Sequence, residues 1–81
     1  MAIGDYSNRA ITLRIHARAD GHLQVRNGDL MLGTSHNEML AVRTAAMAAD
    51  ELAKLGNTVR VVRNAAGRDI EEYIARARRQ A

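Results

Sequence analysis

From Ile11 to Arg18 the chain alternates without a break, with Ile11, Leu13, Ile15 and Ala17 on odd positions and Thr12, Arg14, His16 and Arg18 on even ones. Successive side chains of a strand point to opposite faces, so this pattern predicts a strand with one buried and one open face. A one-residue slip in pairing would exchange the faces, which constrains the next strand tightly. Leu23 and Val25 carry the alternation on through His22–Arg26. A two-residue turn at Asp20-Gly21 would set Arg18 against Leu23 on one face. A three-residue loop, Ala19-Asp20-Gly21, sets Ala17 against Leu23 and Ile15 against Val25, apolar on apolar. Three-residue hairpin loops need a left-handed last residue, and Gly21 supplies it.

The same arithmetic predicts a third strand. Asn27-Gly28 is a strong type I′ hairpin signal and pairs Val25 with Leu30 and Leu23 with Leu32. Ser35 followed by Glu38 reads as the capping box of a helix. That helix is expected to run to about Leu55 and stop at Gly56-Asn57, with Met39, Val42, Ala45, Ala46, Ala49, Leu52 and Ala53 as its core stripe. Thr58–Arg63 reads as a fourth strand and Asn64–Gly67 as a turn. Asp69 and Glu72 then form a second capping box, with Ile70, Tyr73, Ile74 and Ala77 at helical spacing. Arg76, Arg78 and Arg79 would sit at the C-terminal end of this last helix, where cations favour the dipole.

The expectation is an α+β, two-layer β-β-β-α-β-α domain. It has an antiparallel three-stranded meander, a fourth strand and helices on one face. The fourth strand follows a chain-reversing helix, so it should run parallel to strand one or strand three through a right-handed crossover. Residues 1–8 read as a flexible N-terminal arm and residues 9–81 as a single compact domain.

Composition narrows the function classes. A chain of 81 residues makes one domain near the lower size at which a core supports itself. It has no Cys, which excludes disulfides and thiolate metal sites. Tyr6 and Tyr73 are its only aromatics, and much of its hydrophobic content is Ala. Such a core supplies only about 3–5 kcal/mol, a shortage that oligomerisation would relieve. No apolar run approaches the roughly 18 residues of a membrane span. The first eight residues lack the features of a secretory signal. No membrane association and a cytoplasmic, bacterial or phage setting are expected. The net charge of +3 is carried by arginine, Lys54 being the only lysine. Arginine suits bidentate phosphate and carboxylate contacts, although a GC-rich genome also enriches Arg together with Ala.

Three constellations bear on function. The first is the open face of the sheet, where the predicted registers gather Arg14, His16, Arg18, Gln24 and Arg26, with Arg60 and Arg63 as further candidates. They set Asp29 in the row of Arg14 and Arg26, and Met31 in the row of His16 and Gln24. Strand side chains of this kind can read the DNA major groove. The expected function is a non-enzymatic binding module for an anionic partner, a nucleic acid or an acidic protein surface. The alternative for this face is simple solvation, and its lack of aromatics argues against base stacking.

The second constellation is Leu40 and Met47, which fall within the polar arc of the first helix marked by Arg43, Thr44, Asp50, Glu51 and Lys54. Either the second helix covers them or they form a protein interface, a homodimer seam included. The latter would make the chain a protein-interaction module, such as a phage or mobile-element inhibitor or adaptor. The third is the set of histidines His16, His22 and His36, which no carboxylate pair accompanies at ligand spacing. No metal, no cofactor and no enzymatic activity are expected, since neither a nucleophile motif nor a Gly-rich phosphate loop is present.

The segments Ile15–Arg26, Ala41–Ala53, Val59–Arg63 and Gly67-Arg68-Asp69-Ile70 run as strand, Asp-Gly turn, strand, Ala-spaced helix, Val-rich strand and Gly-Arg-x-Ile. This order resembles a small bacterial family of domains of unknown function. The chain departs from it at Leu23, where such domains tend to carry an aromatic. The resemblance implies a β-rich sheet with one packed helix and brings no activity with it.

Overall fold

The computed structural model describes residues 9–77. They form β1 (Ala10–Ala17), β2 (Leu23–Asn27), β3 (Leu30–Ser35), α1 (Glu38–Lys54), β4 (Thr58–Ala65) and β5 (Arg68–Ala75). The five strands make one mixed sheet of order β3-β2-β1-β4-β5, with the single helix packed on one face. β1 is the central strand. It runs antiparallel to β2 and parallel to β4, so α1 connects edge strand β3 to the far side of β1.

The first hairpin follows the burial argument. Ala17 lies opposite Leu23 and Ile15 opposite Val25. The Arg18 N–H donates to the His22 carbonyl at 2.7 Å, and Gly21 closes the loop at φ +90°. The second hairpin departs from the expected register. Leu30 pairs with Asn27 rather than Val25, so the loop residues are Gly28 and Asp29. Gly28 has φ +59° and Asp29 has no positive φ, which fits glycine at the first position of a type II′ loop rather than a type I′ turn. A bulge then changes which residues share a face, since Arg26 pairs with Met31 but Val25 with Gly33, leaving Leu32 as the extra residue. Gly33, not a leucine, therefore faces the helix. A Cβ there would stand 3.3 Å from the Thr44 methyl.

The helix begins two residues later than the capping-box reading placed it. Asn37, not Ser35, is the N-cap, and its Oδ1 accepts from the N–H groups of Met39 at 2.8 Å and Leu40 at 3.2 Å. Ser35 instead braces the approach, its Oγ accepting from the Asn37 N–H at 3.1 Å. Ala41, Ala45, Ala49 and Ala53 are all fully buried against Leu13, Ile15, Val25, Val59 and Val61 of the sheet. Met39, expected in the core, is 80% exposed. It stands two residues from Ala41, about 200° around the helix, and so points away from that line.

The final segment is a strand, not a helix. Ala66 and Gly67, at φ +53° and +77°, form a two-residue loop that folds β5 antiparallel onto β4. Val61 pairs with Tyr73 but Val62 with Glu71, so Glu72 is an extra, bulged residue. The bulge breaks the period of two. It leaves Ile70, Tyr73 and Ala75 on the helix side, and the spacing from Ile70 to Tyr73 and Ile74 imitates a helix. Arg76 accordingly caps no helix, and Arg78 and Arg79 lie outside the described residues, as does the proposed arm of residues 1–8.

Asn57 ties the layers together. It is fully buried, its amide donates to the Leu52 carbonyl at 2.9 Å, and its Oδ1 accepts from the Arg9 N–H at 3.1 Å. One side chain thus joins a C-terminal carbonyl of α1, which also accepts from the Leu55 and Asn57 N–H groups, to the N–H at the entry of β1.

Candidate functional site

The sheet face away from α1 has no second layer among the described residues. Even-numbered positions of β1, β2 and β4 share it, because Ile15, Val25, Val59 and Val61 are turned to the helix. One row reads Met31, Arg26, Arg14, Val62 and Glu71 across all five strands. The next reads Thr34, Gln24 and His16. A third sets Thr12 beside Arg60 and Ile74. The predicted neighbours Arg14 with Arg26 and His16 with Gln24 are therefore in place, while the β3 members of both rows differ. Met31 stands where Asp29 was expected, and Thr34 where Met31 was, because the hairpin is offset and bulged.

The charges that meet the arginines come from β5. Arg14 Nη1 donates to Asp69 Oδ2 at 2.8 Å, and Arg60 Nε to Glu71 Oε1 at 2.7 Å. Read as a strand, Arg68–Ala75 would have put Asp69 and Glu71 on this face; the helical reading hid them. The hydrogen bond from Arg14 holds the Asp69 carboxyl below the usual carboxylate range, helped by the Asn64 amide at 3.3 Å. Arg26 differs from both. No carboxylate pairs with it among the described residues, and its Nε is buried without a hydrogen-bond partner. It lies directly opposite Arg14. Like charges in that position repel, and Asp69 offsets only the Arg14 side.

Arg18 stands at the rim, in the first loop, with its Nη2 3.2 Å from Asp20 Oδ2. The His22 N–H donates to Asp20 Oδ1 at 3.0 Å and is the main cause of a lowered Asp20 pKa, with Arg18 and the His22 ring adding to it. Beyond the last β2–β3 pair the rings of His22 and His36 meet at 3.9 Å. Arg63 does not belong to the open face. It lies on the helix side, with Nε 2.9 Å from Glu38 Oε1 and Nη2 3.6 Å from Glu72 Oε1, linking the start of α1 to β5. Among the described residues no group of three or more His, Asp or Glu side chains is placed to hold a metal ion.

Leu40 and Met47 are 50% and 65% exposed. The expected cover was a second helix, but that segment lies in the sheet as β5, so it does not shield them. An open depression beside the start of α1 is lined by Glu38, Met39, Val42, Arg43 and Glu72. No described helix is long and apolar enough to cross a membrane. No protein-family model, curated protein or solved structure matches the chain.

Proposed function

We propose that this chain is a non-enzymatic binding module that engages a polyanion, nucleic acid first, through the open face of β1 and β2. Arg14, His16, Gln24 and Arg26 form the contact surface, Arg18 extends it at the rim and Arg60 flanks it on β4. The observation that carries the reading is the Arg14–Arg26 pair. Two guanidinium-bearing residues are held directly opposite each other, and one of them has no carboxylate among the described residues. A phosphate between them relieves the repulsion and gives Arg26 the acceptors it lacks. The exposed Arg14–Asp69 and Arg60–Glu71 pairs are weak in water, so a phosphate can displace the carboxylates. Asp69 and Glu71 also set direction, since their charge keeps the polyanion over β1–β2 and off β5.

Fluorescence anisotropy on duplex DNA and RNA across a salt series tests this reading. Binding should weaken with a log–log slope of about −0.9 per phosphate contacted on B-DNA. No binding at low salt, or binding unchanged in the double variant Arg14→Ala/Arg26→Ala, would sink it.

A second reading, a protein-interaction module that uses the helix surface, is favoured by the uncovered Leu40 and Met47. It requires a protein partner whose binding is lost in Leu40→Asp or Met47→Asp while nucleic-acid binding persists.

A further inference from the structure

The two edges of the sheet are unlike. β5 carries Arg68, Asp69, Glu71 and Glu72, and charges on an edge strand guard it against pairing with another chain. β3 reads Leu30-Met31-Leu32-Gly33-Thr34-Ser35, with no charge and no proline. Three consecutive apolar residues on it are exposed: Leu30 at 57%, Met31 at 50% and Leu32 at 37%. Among the described residues no strand pairs with its outer side, which presents backbone N–H and C=O groups as edge strands do. The domain thus has one guarded edge and one open, sticky edge.

We propose that β3 is a self-association edge, on which a second copy of this chain lays its own β3 antiparallel to close a two-fold dimer. A second copy fits because the strand is complementary to itself. The β2 pairing and the bulge at Leu32 put Leu30, Gly33 and Ser35 on the helix side and Met31 and Thr34 on the open side. Antiparallel pairing that sets Leu30 against Ser35 and Met31 against Thr34 keeps both faces matched. The same register brings Asp29 of each copy beside His36 of the other, an acid against a base rather than like on like. A parallel arrangement would stack Asp29 on Asp29. The contact is isologous, so it closes at two copies, while the charged β5 edge offers no matching uncharged strand for continued growth. Both open faces then lie on the same side of one continuous sheet. Leu30 and Leu32 gain burial that an alanine-lined core cannot give them within one chain.

Size exclusion with light scattering, run on the full chain over a concentration series, gives the first measurement. Twice the chain mass is expected, falling to the chain mass in Met31→Lys or Leu30→Lys with the circular-dichroism spectrum retained. Leu40→Asp and Met47→Asp, on the helix, should leave the dimer intact. Amide hydrogen exchange on the unaltered chain gives a second measurement, independent of how the variants fold. The β3 amides not bonded to β2 should be protected at high concentration and exchange faster on dilution. A monomer at all concentrations, a dimer dispersed only by the helix variants, open-ended oligomers, or β3 amides that exchange at one rate throughout would each overturn the proposal.

Discussion

Arg14 and Asp69 are 55 residues apart in the chain, and their side chains meet at 2.8 Å across the strand that separates β1 from β5. The pair joins the centre of the sheet to its edge. Both side chains are well exposed, so it adds little to stability. Its consequence is electrostatic, because it spends part of the Arg14 charge inside the molecule, while Arg26 has no carboxylate partner among the described residues.

Removing the acid should therefore strengthen polyanion binding. Asp69→Asn is expected to tighten the complex with duplex nucleic acid and to steepen the log–log salt slope by up to about 0.9, one phosphate more. An unchanged slope in anisotropy titrations would remove Arg14 from the contact surface.

Acid stability follows from the same carboxylate. The folded-state pKa of Asp69 is lowered by the Arg14 hydrogen bond, and that of Asp20 by the His22 N–H. A lowered folded pKa stabilises above the ordinary carboxylate range, and that stabilisation is lost as pH falls through the folded value. Thermal melts from pH 7 to pH 2 should show a loss below about pH 4 that is shallower in Asp69→Asn. Identical acid limbs in the two proteins would contradict the assignment.

Ala49 is fully buried where α1 lies against the sheet. Ala49→Leu keeps helix propensity but adds volume with nowhere to go, and should cost about 1–3 kcal/mol. In a domain of this size each kcal/mol lowers Tm by about 4–8 °C. A Tm equal to that of the unaltered chain would mean the helix sits off the sheet.

Ala66 holds φ +53° in the loop between β4 and β5, a conformation that costs most residues about 1–2 kcal/mol. Ala66→Asn creates the Asn-Gly pair that type I′ loops favour. It should raise Tm by several degrees, within the roughly 4–8 °C per kcal/mol expected here. A fall in Tm would argue against the β4–β5 hairpin itself.

Asn57→Ala should cost about 1–3 kcal/mol, because it removes the acceptor that the Arg9 N–H now uses and one of the donors to the Leu52 carbonyl. Hydrogen exchange at the Arg9 amide should accelerate more than the global loss of stability accounts for. A purely global change would remove Asn57 from its role as a brace.

The legible parts of the fold were those where burial and a local turn made the same demand. β1 and β2 could pair in only one way that buried Ile15 on Val25, and Arg14 opposite Arg26 came with that register. The β2–β3 register was missed because Gly28 takes the first loop position and a bulge at Leu32 sets Gly33 against Val25, while the Leu30, Leu32 alternation in the sequence points to an unbulged strand. β5 was missed because a bulge at Glu72 turns its period of two into something close to a helical one. Of the candidate face, the cations were legible and their carboxylates were not. Asn57 carried a visible sign only as the residue after Gly56, at a helix end.

Local chemistry set the individual elements: the alternation of β1, the Gly21 loop, the alanine-rich helix and its stop at Gly56. These depend on side-chain periodicity and backbone freedom over a few neighbouring residues. Tertiary structure alone decided that β4 lies beside β1 and that Arg68–Ala75 extends the sheet. Those choices rest on hydrogen-bond partners supplied by the exposed edges of other strands. Arg68–Ala75 satisfies its backbone against β4, where Ala75 is buried and Tyr73 reaches Asp50 at 2.6 Å.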